Sequence, residues 1–136
     1  MAELDSVDPE FKILVVDDVT SARRIVIKLL EKMGFAKFLE AKNGTEALGL
    51  LKSSAPNLVV SDWDMPDMQG MELLDAMRAD TNLAQIPFIM ITSKSTKELV
   101  MDAHEHGVSD FITKPFGYET LVKKVQGVLK KATPAP

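Results

Sequence analysis

Residues 57–70 read Asn-Leu-Val-Val-Ser-Asp-Trp-Asp-Met-Pro-Asp-Met-Gln-Gly. An apolar, β-branched run that stops at Ser61-Asp62 and passes into a loop with Pro66 and Gly70 reads as a buried strand, here 57–61, followed by a turn. Asp62 then stands at the strand's carboxyl end, where the chain leaves the sheet. The pattern recurs along the chain. Residues 12–16 (Lys-Ile-Leu-Val-Val) stop at Asp17-Asp18, residues 86–91 stop at Thr92-Ser93, and residues 109–113 stop at Lys114-Pro115. A short run at 38–41 completes the strand-like segments, and Pro87 is tolerated because it falls near the start of its strand.

Helical patterns fill the intervals. Ala22, Ile25, Val26, Leu29, Leu30 and Met33 fall on one helix face; Thr20 or Ser21 is the expected N-cap and Gly34 the stop. Asn43-Gly44 opens a helix carrying Ala47, Leu48 and Leu51, and residues 71–79 bury Leu73, Leu74 and Met77. Residues 96–106 close at Gly107, and residues 118–131 carry Leu121, Val125, Val128 and Leu129 on one face. Strands apolar throughout and alternating with helices imply an α/β fold, a (βα)5 three-layer sandwich with a parallel sheet covered on both faces. Ligands of such sheets sit outside the strands' carboxyl ends. Asp17, Asp18, Asp62, Thr92 and Lys114 are therefore expected at one mouth.

The bulk composition narrows the field. A chain of 136 residues is expected to form one domain, 11–131, with a flexible lead-in at 1–10 and a flexible tail at 132–136. The net charge of −4 argues against a nucleic-acid module. With no cysteine there are no disulfides and no thiolate metal site. No apolar stretch nears the roughly 20 residues of a membrane span, and the acidic start is unlike a signal peptide, so a cytoplasmic protein is expected.

Crowded carboxylates repel unless a cation joins them, and hard oxygen ligands without Cys or His suit Mg²⁺. An Asp beside Mg²⁺ is a competent nucleophile toward phosphorus, with a Lys and a hydroxyl to share the charge on the phosphoryl oxygens. Lys114 and Thr92 are of those types.

The Asp17-Asp18 pair after Lys-Ile-Leu-Val-Val, the Ser-Asp-Trp-Asp-Met-Pro loop, Ile-Thr-Ser after the fourth strand and Lys-Pro-Phe after the fifth together resemble a response-regulator receiver domain. The run from Asp17 through Arg23-Arg24, and Trp63 after Asp62, are similar to the chemotaxis branch of that family. The resemblance implies a flavodoxin-like doubly wound sheet in strand order 2-1-3-4-5. It also implies phosphorylation of Asp62 by a histidine kinase, of the chemotaxis type in that branch, or by a small donor such as acetyl phosphate. Mg²⁺ would be held by Asp18, Asp62 and the Asp64 carbonyl, with Asp17 acting through water. Lys114, Thr92 and Ser93 would bind phosphate, and Thr92 and Phe111 would form the switch. Output would pass through the surface of the fourth helix, fifth strand and fifth helix to a flagellar motor switch protein. A phosphatase is a further partner, nucleic acid and membrane are not, and a monomer is expected.

Some features stand apart from that pattern. Phe111 lies where chemotaxis regulators usually carry Tyr, which leaves a receiver outside motor control as an alternative. Asp64 and Lys94 are expected to pair across the mouth and to alter the phosphate's lifetime. Asp62-X-Asp64 also resembles the motif of Asp-nucleophile phosphatases, but those place it after the first strand and need a substrate cap. Trp63 is expected at the rim, the methionines at 65, 68 and 71 in loop packing, and His104 and His106 at a helix end. Lys123, Lys124, Lys130 and Lys131 are expected on a solvated basic face.

Overall fold

The computed structural model describes residues 8–65 and 68–132; Pro66 and the expected flexible ends at 1–7 and 133–136 lie outside them. The elements are β1 (Lys12–Val16), α1 (Thr20–Lys32), β2 (Lys37–Ala41), α2 (Gly44–Ser54), β3 (Leu58–Asp62), α3 (Gly70–Ala79), β4 (Phe88–Thr92), α4 (Lys97–Glu105), β5 (Asp110–Thr113) and α5 (Tyr118–Ala132). The strands form one parallel sheet in the order β2-β1-β3-β4-β5. Strand order and layering match the expectation.

Side-chain alternation along the strands divides the core in two. Leu14, Val16, Val59, Phe88 and Met90 face a cluster built with Ala47 and Leu51 of α2, Leu73, Leu74 and Met77 of α3, and Ala103 of α4. Ile13, Val15, Leu58, Val60, Ile89, Ile91 and Ile112 face Val26 and Leu30 of α1 and Leu121, Val122 and Val125 of α5. A period of two with both sides covered explains why β1, β3 and β4 read as unbroken apolar runs.

Several element ends differ from the sequence reading. Neither Thr20 nor Ser21 caps α1: Val19 holds the N-cap position without a side-chain bond. The Asp17 carboxylate reaches forward instead and accepts the Val19 N–H at 2.9 Å, closing an Asx-type turn that draws Thr20 into the first helical turn. At β4 the strand begins at Phe88, because the Ile86 N–H bonds back to the Leu83 carbonyl at 3.1 Å and the Ile86 carbonyl accepts from Arg78 at 2.7 Å. Trp63 is buried, its ring edge-on to Phe88 at 6.3 Å, and so is a core residue and not a rim cover. Met65 is buried in the same cluster, with Met68 and Met71 packed against it. Asn43 caps α2 by accepting the Glu46 N–H, and Thr96 caps α4 by accepting that of Leu99. Gly34 and Gly107 stop their helices at φ of 110° and 100°, which residues with a Cβ rarely adopt.

Gly70 opens α3 directly beneath the strand that carries Asp62. A Cβ there would come within 2.6 Å of Trp63 Cε3 and 3.1 Å of the Asp62 carbonyl. Gly70→Ala is therefore expected to destabilise the domain by about 1–3 kcal/mol, as overpacked substitutions do, and to shift Trp63 emission. Urea unfolding followed by that fluorescence measures both.

Candidate functional site

The sheet's hydrogen-bond ladder runs past the formal strand ends and sets the mouth. Asp17 N–H donates to the Ala41 carbonyl at 3.1 Å, Trp63 N–H to Ile91 at 2.9 Å, and Lys114 N–H to Thr92 at 2.8 Å. Because Val16 pairs with Ser61, Asp17 and Asp62 emerge side by side. Counting by two from Val15, Val60 and Ile112, which share one face, places Asp17, Asp62 and Lys114 on the same side.

Geometry agrees with that count. Carboxylate oxygens of Asp17, Asp18 and Asp62 all lie within 4.8 Å of one another. Lys114 Nζ donates to Asp62 Oδ1 at 3.1 Å and stands 3.7 Å from Asp17 Oδ2. Asp17 and Asp62 are buried and Asp18 is exposed. One ammonium thus faces three carboxylates. Burial pushes the Asp62 pKa up from its ordinary value, with Asp17 and Asp18 adding to the effect, while the Lys114 hydrogen bond and charge oppose it. All donors are hard oxygens in negative excess, a set that suits Mg²⁺.

Two contacts fix this cluster that the sequence reading did not single out. Arg23 Nη1 donates to the Asp17 carbonyl at 2.8 Å, and its Nε pairs with Glu40 Oε1 at 2.8 Å, so α1 and β2 jointly hold the β1 end. Ser61 Oγ donates to the Asp62 carbonyl at 2.8 Å. Arg23 lies in the run that carried the chemotaxis resemblance, but which of Arg23 and Arg24 turns inward depends on helix phase.

The remaining site residues make contacts of their own. Thr92 is fully buried, and its hydroxyl both donates to the Lys94 carbonyl and accepts the Lys94 N–H, each at 3.0 Å. Ser93 is exposed and, with Asp17, Ile25, Lys114 and Phe116, lines a groove of about 480 Å³ beside the cluster. Asp64 and Lys94 are both exposed and form no ion pair with each other, contrary to the expected pairing; the turn that consumes the Thr92 hydroxyl also fixes the Lys94 backbone. Phe111 is half-buried, with Lys124 Nζ 4.8 Å from its ring centre and 3.0 Å from Asp110 Oδ1. Lys124 is thus engaged and not part of a purely solvated face. His106 caps α4 and bonds Asp75 through Nδ1 at 2.6 Å, consistent with a helix-end role.

The sequence matches the response regulator receiver domain over residues 13–126. It is 42% identical over 120 residues to the chemotaxis protein CheY-3 of Vibrio cholerae, covering 88% of this chain and 92% of that protein. It is 38% identical over 120 residues to the chemotaxis protein CheY of Pseudomonas aeruginosa, covering 88% and 97%. The solved structure of the chemotaxis response regulator CheY4 of Vibrio cholerae superposes with a TM-score of 0.80 at 32% identity, covering 86% of this chain and 97% of that one. Among the described residues no helix is long and apolar enough to cross a membrane.

The raised Asp62 pKa has a definite sign. The folded state binds the Asp62 proton more tightly than the unfolded chain does, so stability declines as pH rises from the ordinary value of 3.8 through the folded value. In metal-free protein Asp62→Asn is expected to stabilise the neutral-pH fold by on the order of 1 kcal/mol, or about 4 °C in Tm. The difference should disappear below pH 3.8. Calorimetry across that range, with chelator present, tests the sign.

Proposed function

This chain belongs to the response regulator receiver domain family, a signalling module of two-component systems, and we propose that it is a switch driven by phosphorylation of Asp62. The observation that carries this reading is Lys114 Nζ bridging Asp62 and Asp17 inside a three-carboxylate cluster.

In the proposed reaction Asp62 attacks the phosphorus of a kinase phosphohistidine, or of a small donor such as acetyl phosphate. The P–O bond to Asp62 forms as the P–N or P–O bond to the donor breaks, and the leaving group takes the electron pair. Lys114 releases Asp62 and donates to a phosphoryl oxygen. Asp17, Asp18, Asp62 and the Asp64 carbonyl are the groups that would hold Mg²⁺, with Asp17 through water, and the bound ion supplies neutralising charge. The Thr92 hydroxyl exchanges its two Lys94 bonds for a phosphoryl oxygen, with Ser93 beside it. Its departure opens the space toward which Phe111 turns. The phosphate biases this equilibrium only because it binds the switched arrangement better. The chain acts stoichiometrically, losing phosphate by autodephosphorylation or to a phosphatase, within the cytoplasm and as a monomer.

Output through α4, β5 and α5 to a flagellar motor switch protein is the reading that the chemotaxis relatives favour. A receiver outside motor control is the second reading, and Phe111 favours it: the ring lacks a phenol and its face is occupied by Lys124.

Addition of Mg²⁺ and beryllofluoride is expected to change Trp63 fluorescence saturably, with the response lost in Asp62→Asn. Asp18→Asn should weaken Mg²⁺ at least about tenfold, since affinity follows ligand charge. A silent parent protein would overturn the receiver mechanism; a response without binding of a motor-switch peptide would favour the second reading. We further assign phosphate lifetime to Asp64 and Lys94 acting separately on water access. Asp64→Asn and Lys94→Ala should then alter autodephosphorylation additively in a double-mutant cycle, and unchanged rates in both would refute the assignment.

A further inference from the structure

At the end of the sheet remote from Asp62, a cleft of about 310 Å³ is lined by Arg78, Gln85, Pro87, Ser109, Val128 and Lys131. Pro87 and Ser109 immediately precede β4 and β5, which places the cleft at the strands' amino ends. Arg78 is locked in position. Its Nε donates to the Gly107 carbonyl at 3.0 Å, and its Nη1 donates to the carbonyls of Ala84 at 3.1 Å and Ile86 at 2.7 Å. Every one of these acceptors is neutral. Burial pushes the Arg78 pKa down and no carboxylate opposes that shift. Nη2 donates to no protein group among the described residues.

Lys131, exposed at the end of α5, lines the same cleft and makes no ion pair among the described residues. The Ser109 hydroxyl accepts the Phe88 N–H at 2.9 Å, which leaves its own proton to donate. No acidic side chain lines the cleft. Two cations and two neutral donors therefore surround a small open space with no anion to answer them.

We propose that this cleft binds a small dianionic phosphate, either inorganic phosphate or a phosphomonoester. The two remaining N–H groups, on Arg78 Nη2, donate to phosphate oxygens, Lys131 adds a point charge, and Ser109 and Gln85 satisfy further oxygens. Two cations match the charge of about −1.5 to −2 that a phosphomonoester carries near neutral pH, and a monocarboxylate would satisfy only one of them. The volume lies at the small end of ligand pockets, which favours small phosphates over nucleotides. Bound there, phosphate ties the end of α5 to the α3–β4 loop and the entry of β5 without touching Asp62.

The probe is inorganic phosphate, titrated into the isotope-labelled, metal-free full chain at constant ionic strength and followed by amide chemical shifts. Saturable shifts are expected at Gln85, Ser109 and Lys131, with sodium acetate producing none. Glycerol phosphate in place of inorganic phosphate shows whether the site takes an ester. Lys131→Glu, a change at an exposed position, should weaken binding about tenfold, while Lys114→Ala should leave it unchanged. The absence of saturable shifts at those residues, an equal response to acetate, or an unchanged midpoint in Lys131→Glu would overturn the proposal.

Discussion

One ammonium among three carboxylates is the interaction on which the working end of this molecule depends. Lys114 reaches both Asp62 and Asp17, yet it cannot neutralise them together with Asp18, so the cluster is held together by the backbone and not by its own attraction. The parallel sheet does the holding. Ladder bonds from Asp17, Trp63 and Lys114 continue the strand register into the loops, and buried apolar faces on both sides forbid a shift. A one-residue slip would turn every side chain to the opposite face. The same constraint that specifies the core thus forces like charges together, a repulsion that a divalent cation would relieve.

This explains which parts of the structure were legible in the sequence. Parallel strands buried on both sides show as plain apolar runs, and chemistry collects where those runs stop, so Asp17, Asp62, Thr92 and Lys114 stood out at once. Strand order came from the family resemblance, because apolar runs alone do not say which strands are neighbours. Local ends were less legible because they are decided by groups distant in sequence or by competing polar partners. The Asp17 carboxylate displaced Thr20 and Ser21 as the organiser of the α1 start. Arg78, eight residues before Ile86, took the carbonyl that would have lengthened β4. Trp63 could be a rim or a core residue until the parity of β3 placed it against Phe88.

Charged side chains were the hardest to place, since hydropathy records their presence but not their partners. The expected Asp64–Lys94 pair does not form, whereas the unforeseen Lys124 contact spans β5 and α5. Lys124 meets the edge carboxylate of Asp110 and the face of Phe111 at once. A ring held by a cation is steadied in place without a hydroxyl, through its quadrupole. Phe111 is thus held in this position by a cation over its ring and needs no hydroxyl for it.

The clefts at the two ends of the sheet carry opposite charge, and parallel topology is what keeps them apart. All strands run the same way, so one end gathers the strands' carboxyl termini with the loops bearing Asp17, Asp18 and Asp62, and the other gathers the strand entries with Arg78 and the end of α5. At the first end carboxylates outnumber the ammonium beside them; at the second a guanidinium rests on carbonyl dipoles alone. Carbonyls satisfy hydrogen bonds but not net charge, so the cleft beside Arg78 keeps a positive excess that Lys131 enlarges. By that reasoning a cation would complete the first cleft and an anion the second.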